Sequence, residues 1–469
     1  MYLNTTAAET TDGSVTLSGT TLSLIGGTIA NGTYVVYAWA HDTSTNGMIQ
    51  CGSYTGNGAQ PGGPTITLGW EPQYLMVKRA TTGTGDWFVN DNLREGLRSV
   101  DGVGSELSPD STGAEGSVAG FGKGFTVKST GFNVVHGAAT INNNGDTYIY
   151  MAIRRPNKPP TSGTQVYNAI ARTGTGSAGT VTGVGFALDL LITSDRSQSF
   201  FTCPEDRLRG AGNYLITGGT NSSGVEGTNA GISGFDTMDG FRVGVGNIGN
   251  ASTYNFINWC FKRAPEVFDQ ICYTGTGGAH TETHNLGAAP EFWIVKIRTP
   301  YQQYWVVGST QMANTDFILM DDFAKQYTDS SYWNSTYPTS SGITFGTNAR
   351  VNYSGSSYVA YLFATKAGVS KVGSYTGDGT AGKIIDCGFS AGARFILIKR
   401  TDDAGHWYVF DSARGIVAAN DPHLSINSTS AEVTDDDSVD PTASGFIVNQ
   451  VAATNINVTN ATYIFLAFA

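Results

Sequence analysis

The apolar positions of this chain come in short runs of strand length, separated by Gly, Thr and Ser, and no run keeps the 3.6-residue period of a helix. In TYIFLAFA, which ends the sequence, Tyr463, Phe465 and Ala467 fall on one face of a strand and Ile464, Leu466 and Phe468 on the other. Both faces are apolar. An antiparallel strand with one wet face would alternate apolar with polar, so this strand is expected to lie centrally in its sheet or to have its outer face covered by a neighbouring module or a second chain. LMVKR, FWIVKIR and FILIKR carry the same two-sided pattern. Little helix is expected beyond single turns around 92–98 and 318–326.

Five motifs recur in fixed order. The closing strand reads TYVVYAWA from Thr33, TYIYMAIRR from Thr147, TYNFINWCFKR from Thr253, SYVAYLFAT from Ser357 and TYIFLAFA from Thr462. Its tyrosine falls at Tyr34, Tyr148, Tyr254, Tyr358 and Tyr463, at spacings of 114, 106, 104 and 105. An opening motif reads GSYTGNG from Gly52, ARTGTG from Ala171, CYTGTGG from Cys272 and GSYTGDG from Gly373, each a strand running into a Gly-rich turn. The third motif is LGWEPQYLMVKR from Leu68, with counterparts from Val184, Leu286 and Cys387. An aromatic strand follows it, DWFVNDNLREG from Asp86, YWVVGS from Tyr304 and HWYVFDSARG from His406. A short SGFIV-type strand at 123–127, 239–243, 341–345 and 444–448 precedes each closing strand.

The expected fold is all-β, a tandem array of jelly-roll-like β-sandwich modules. The C-terminal part of a truncated module occupies 1–42, followed by modules at 48–155, 156–264, 265–366 and 367–469, of which 156–264 is the divergent one. MYLNTTAAETTD at the start aligns with LSINSTSAEVTD at 424–435, pairing Asn4 with Asn427, Thr6 with Thr429, Glu9 with Glu432 and Asp12 with Asp435. The chain is therefore expected to open in mid-module. Two explanations stand: it is the C-terminal part of a longer polypeptide, or its partial module docks on the next one or completes a neighbouring subunit by strand addition.

Composition narrows the function classes. Glycine supplies 61 of 469 residues and only 14% are charged, which fits many short strands joined by tight turns. The net charge of −11, with 27 scattered Lys and Arg, argues against a nucleic-acid partner. Every apolar stretch is strand-sized and residues 1–20 are polar, so no membrane partner and no signal peptide are expected. Cys51, Cys203, Cys260, Cys272 and Cys387 form an odd set without CxxC spacing and read as reduced, mostly buried thiols.

With YTGNG or YTGDG, LGWEPQYLMVKR, HWYVFDSARG, INSTSAE and TYIFLAFA in fixed order, the chain resembles the repeated module of about 100 residues found in tailed-bacteriophage virion proteins. That module occurs in tail fibres and other appendages of phages of marine bacteria and cyanobacteria. The resemblance spans essentially the whole chain, strongest at 371–469 and 48–155 and weakest at 165–264. It implies a non-enzymatic structural protein of the virion, assembled in the host cytoplasm, with other virion proteins as partners and a homo-oligomeric state, a trimer among the options. The alternatives are a receptor-binding protein for host-surface glycan and a tailspike-type depolymerase.

His280 and His284 share a strand face near Cys272, but the other modules lack the pair, so no metal is expected. Asp435, Asp436, Asp437 and Asp440 read as a solvated acidic turn, lacking the internal Gly of a calcium loop. Asp91, Glu95, Glu205 and Asp206 are carboxylates that a glycosidase could use, yet Asp91 finds a counterpart only in Asp411, so no catalytic residue is assigned. The Gly-rich stretch at 174–179 opens no helix, and no cofactor is expected. Trp87, Trp305 and Trp407 share a repeat position and are expected in the core. Tyr332, Trp333 and Tyr337, in the unrepeated DSSYWNSTYP, are the candidate surface-recognition residues.

Overall fold

The computed structural model describes residues 15–24, 33, 35–81, 85–99, 106–112, 115, 124–218, 226–227, 231–246 and 248–469. The alignment of Asn4, Thr6, Glu9 and Asp12 with 427–435 lies outside these residues. The chain divides into two compact units, one of Met1–Leu97 with Asp101–Arg155, the other of Pro156–Ala469 with Arg98–Val100.

One strand order recurs four times. In the first unit it is opening strand Ile49–Thr55, closing strand Thr147–Arg154, inner strand Pro72–Arg79 and aromatic strand Trp87–Asp91. The second unit repeats it in three sheets. Tyr167–Thr173, Asn255–Phe261, Leu190–Asp195 and Cys203–Asp206 form one, and Phe268–Thr274, Ser357–Phe363, Phe292–Thr299 and Val306–Ser309 begin the next. The last begins with Ser370–Thr376, Thr462–Phe468, Phe395–Arg400 and Trp407–Asp411. All neighbours are antiparallel, and the closing strand, last of the four in sequence, lies between the first two, the opening and inner strands.

Each large sheet is faced by a smaller one built around Gly131–Val134, Gly240–Val243, Gly342–Phe345 or Gly445–Val448. This corrects the SGFIV-type strand expected at 123–127: that stretch falls on Phe125–Lys128, the neighbour of Gly131–Val134, and it is Gly131 that stands opposite Thr67 as Gly445 stands opposite Asp386. The inner face of the fourth sheet shows the sandwich: Ile396, Ile398, Phe465 and Ala467 pack on Ile385, Val439, Phe446 and Val448 of the small sheet. Burying these alternate side chains is what fixes the register, since a one-residue slip would turn them all outward.

The opening motif now has a physical account. Thr-Gly-x-Gly follows each opening strand, at 55–58, 173–176, 274–277 and 376–379. A Cβ on Gly56, Gly174, Gly275 or Gly377 would run into the carbonyl oxygen of Asn143, Ala251, Tyr353 or Val458 in the turn before the closing strand. The second glycine has positive φ, +68° at Gly58, +67° at Gly176, +77° at Gly277 and +75° at Gly379. Between them, the N–H of Asn57, Thr175, Thr276 and Asp378 donates to a buried asparagine, Asn142, Asn250, Asn352 and Asn457, at 2.9, 3.2, 2.7 and 3.1 Å.

A tyrosine pair secures the same corner. Tyr54 stacks on Tyr148 at 5.0 Å, Tyr273 on Tyr358 at 5.0 Å and Tyr375 on Tyr463 at 4.8 Å. In the divergent sheet Arg172 and Phe256 stand opposite each other, with the guanidinium 5.3 Å from the ring. This corrects the expected repeat position: Tyr254 precedes the strand and is partly exposed, and Phe256 holds the place of Tyr148, Tyr358 and Tyr463.

Helical turns form at Ala139–Asn142 and Ala349–Asn352, not at the two expected places. At 92–98 the Asp91 carboxylate takes the backbone N–H of Arg94 at 2.8 Å and holds a turn instead. At 318–326 the chain begins in strand Asp316–Leu319. In the first 42 residues, Val15–Ser18 pairs with Thr21–Leu24, while Val35–Ala40 adopts no strand. Val35, Val36, Tyr37 and Trp39 are exposed, and among the described residues no strand flanks them.

Candidate functional site

The inner faces of the large sheets are used up by the sandwiches. In the second unit the outer faces are used as well: Ile257, Trp259 and Phe261, Val359, Tyr361 and Phe363, and Ile464, Leu466 and Phe468 from the three closing strands all join one buried cluster. The two-sided apolar strand is thus both central in its sheet and covered by sister sheets. Phe261, Phe363 and Phe468 hold equivalent positions, opposite Leu190, Phe292 and Phe395 on the inner strands. Their rings meet pairwise at 6.1, 5.4 and 6.3 Å, so each sheet contributes one ring to a central triad. An apolar void of about 30 Å³ beside Phe261, Phe363, Phe395 and Leu466 has room for about one water molecule, far below a ligand pocket.

Around this core the sheets are linked in a cycle. Trp407 of the last sheet donates its indole N–H to the Leu319 carbonyl at 3.0 Å, and Trp305 donates to the Ile216 carbonyl at 2.6 Å. Trp259 of the divergent sheet completes the round by donating to Asp411 Oδ2 at 2.8 Å. Tyr361, in register with Trp259, makes the matching bond to Asp206 Oδ2 at 2.7 Å.

Asp91, Asp206 and Asp411 occupy one register position, opposite Tyr74, Leu190 and Phe395, and Ser309 takes that place in the remaining sheet. Each aspartate pairs with the arginine three residues on, Arg94 at 2.7 Å, Arg209, and Arg414 at 2.6 Å. This corrects the expectation that Asp91 has a counterpart only in Asp411: Asp206 is a second one, carrying the same Asp-x-x-Arg spacing at the end of a strand whose other residues diverge. Arg209 also meets Glu226 at 2.8 Å, and Glu226 meets Arg298 at 2.6 Å. Burial opposes the Arg209 charge, but Asp206, Tyr361 and Glu226 outweigh it and raise the guanidinium well above its ordinary value. Burial likewise opposes the Glu226 carboxylate, and Arg209 and Arg298 hold it below the usual range.

Under each shared tryptophan lies a buried lysine: Lys78 is 5.8 Å from the Trp87 ring, Lys296 5.9 Å from Trp305 and Lys399 6.0 Å from Trp407. Lys399 donates to the carbonyls of Gly405 and, at 3.0 Å, Phe323, which lies in the connection after strand Asp316–Leu319. Burial pulls Lys399 down to about 7 and Lys296 to about 8, against the attraction of Asp322 and Asp321. The divergent sheet has Ser194 and Thr202 in these places, with their hydroxyls 2.9 Å apart.

The candidate recognition residues lie elsewhere, and two of the three are not at the surface. Trp333 is 1% exposed and Tyr332 2%. Trp333 donates its indole N–H to the Asp316 carbonyl at 2.9 Å, and Tyr332 stacks on Phe317 at 3.8 Å and takes a bond from Arg350. They fill the third sandwich because two apolar rings in a short segment are worth more buried than wet. Tyr337 alone is exposed, its hydroxyl donating to the Met312 carbonyl.

The remaining chemistry is engaged in structure. His284 bonds the Thr339 carbonyl at 3.1 Å, and His280 lies 3.2 Å from the Thr276 hydroxyl. In the acidic run, Asp436 lies 3.2 Å from His423, and Asp437 and Asp440 accept from Asn449. Glu205 accepts the Gly212 N–H at 3.2 Å. Among the described residues, no group of three His, Cys, Asp or Glu could hold a metal ion, and no helix is long and apolar enough to cross a membrane. All five cysteines are free; Cys203, Cys260 and Cys387 are buried and Cys51 is exposed.

No curated protein matches the chain. A family described as a domain of unknown function (DUF7483) matches residues 1–156 and 162–469. With nearly its whole length covered, the chain belongs to that family.

Proposed function

We propose that this chain is a non-enzymatic structural protein of a tailed-bacteriophage particle, a tail fibre or other appendage whose repeated β modules serve as spacer and contact surface. One observation carries the reading: the residues that recur are spent on holding sheets together. The glycines and asparagine of the opening turn, the tyrosine pair, the Lys–Trp pair and the Asp–Arg pair all point into the molecule or across to a sister sheet. An active site or a repeated sugar site would instead keep recurring polar or aromatic groups at an open cleft. The burial of Tyr332 and Trp333 weighs in the same direction.

Immunogold labelling of intact particles with antibody raised to the chain tests the proposal. Gold on a tail fibre or other appendage is the expected result. Particles that stay unlabelled while lysate is positive would remove the virion assignment, and release of reducing sugar from host polysaccharide by purified protein would remove the non-enzymatic one.

A further inference from the structure

An amine and a carboxyl group face each other inside the first unit. Lys78 stands on the inner strand Pro72–Arg79, opposite Trp87 of the aromatic strand, and Asp110 approaches the same tryptophan from the segment in which Leu107 pairs with Val89. Neither side chain has any exposure, and Lys78 Nζ lies 4.0 Å from Asp110 Oδ2. Nζ donates to the Gly85 carbonyl, whereas Oδ2 is buried and accepts no hydrogen bond. The other carboxylate oxygen is held in place, because the Trp87 backbone N–H donates to Oδ1 at 3.0 Å. That hold belongs to the repeat: the N–H of Trp305 donates to Asp321 Oδ1 at 3.1 Å, and that of Trp407 to Asn427 Oδ1 at 3.0 Å. A buried ammonium and a buried carboxylate with one oxygen lacking a donor are costly to keep as ions.

We infer that Lys78 and Asp110 become joined by an amide bond between Nζ and Cγ, formed by the folded chain itself. The atoms balance without a co-reactant. One proton passes from the ammonium to the carboxylate, the neutral amine attacks Cγ, and the Cγ–Oδ2 bond breaks as Oδ2 takes a second proton from nitrogen and leaves as water. The pocket favours each step. Fixed opposition of the two groups replaces a chance encounter. The Trp87 N–H already points at Oδ1, where negative charge gathers in the tetrahedral intermediate. Burial holds the Lys78 ammonium below its ordinary value, against the attraction of Asp110 and Asp86, which brings the attacking amine within reach. Glu106, buried and also acted on by Asp86, is pushed up to about 7, chiefly by burial, and so keeps a proton at hand for the leaving oxygen. The product has no buried charge, and its carbonyl oxygen is Oδ1, still bonded to Trp87. The bond clasps the aromatic strand, running from the inner strand on one side of it to the Leu107 segment on the other.

Peptide mapping by mass spectrometry of the purified full chain, denatured before proteolysis, reads the bond directly. The expected product is a branched peptide that joins the segments of Lys78 and Asp110 and is lighter than their sum by one water molecule. Lys78→Arg and, separately, Asp110→Ala should each return only the linear peptides. The digest of the parent needs no variant to fold: recovery of Lys78 and Asp110 only in linear peptides overturns the inference. So does a branch at Lys78 that persists in Asp110→Ala.

Discussion

Phe261 and Phe468, drawn from the first and last sheets of the second unit, meet with ring centroids 5.4 Å apart and an interplanar angle of 66°. The contact is edge-to-face, the geometry that aromatic quadrupoles prefer. It ties together strands separated by most of the unit's length. With Phe363 it makes the centre of the second unit a place where three sheets have one core among them.

Truncating that centre should be costly. Phe468→Ala removes a fully buried ring that touches four aromatic neighbours, Tyr167, Phe261, Phe363 and Phe395. A loss of about 3–5 kcal/mol is expected, read as a shift in the denaturant midpoint. Because the core is common property, the whole second unit should unfold in one transition at lower denaturant, not the last sheet alone.

Trp333→Ala gives the sharpest contrast between a recognition residue and a core residue. The indole is buried against Trp293, with centroids 5.4 Å apart, and its N–H bonds the Asp316 carbonyl. Thermal melting should show destabilisation of about 3–5 kcal/mol. Unchanged stability would mean that the ring is not packed as described.

Trp407→Phe isolates a single hydrogen bond. The ring volume is largely kept while the Leu319 carbonyl loses its donor. The expected cost is about 1–3 kcal/mol, and the paired change Lys399→Met should show coupling with it, since the ammonium lies 6.0 Å from the same ring.

Asp421 should give the protein a pH-dependent term. Burial pushes its carboxyl from 3.8 up to about 7, helped by Asp437 and Asp440 and opposed by the N–H groups of Val439 and Val417. A carboxyl raised in the folded state favours folding while protonated. Its contribution is complete below about pH 4 and is lost as pH rises through 7. The stability of the parent relative to Asp421→Asn should therefore fall by about 1 kcal/mol or more between pH 4 and 8, measured by urea titration at each pH. A difference that is flat, or that grows with pH, contradicts the assignment.

Gly377→Ala tests the opening motif. A Cβ there meets the Val458 carbonyl, which the buried Asn457 network holds in place. A loss of about 1–3 kcal/mol is expected, while Gly382→Ala, with open space around its Cβ, should cost only the strain of its positive φ, about 1 kcal/mol. Parallel thermal melts of the two variants decide it.

Much of this was legible in the chain. All-β character, the fixed order of motifs and the burial of Trp87, Trp305 and Trp407 follow from strand periodicity and repetition. The two-sided apolar closing strand posed the right question, a central strand or a covered one, and both halves of the answer hold in the second unit. Where the motif diverged, reading failed: Tyr254 looked like the repeat tyrosine because letter identity outweighed register, and only pairing with Tyr167–Thr173 shows Phe256 in its place. Trp333 misled for a different reason. An unrepeated aromatic looks like a surface specialisation, but the third sandwich has its own hole to fill, against Trp293 and Phe317. The ring of three sheets was invisible because it depends on contacts between residues one or two repeats apart, which no local pattern encodes.

The central place of the closing strand bears on how such a chain emerges from the ribosome. Synthesis delivers the opening, inner and aromatic strands first, and the strand that must lie between the opening and inner ones arrives last, some 100 residues later in each repeat. Until then every nascent module holds a slot one strand wide, with unpaired backbone on both sides. The next repeat to be made carries a closing strand of the same apolar pattern, suited to the same kind of slot. Keeping each strand to its own module during translation is therefore a race between local closure and exchange. A closing strand that differs from its neighbours, as at 156–264, fits a neighbouring slot less well and so disfavours the exchange.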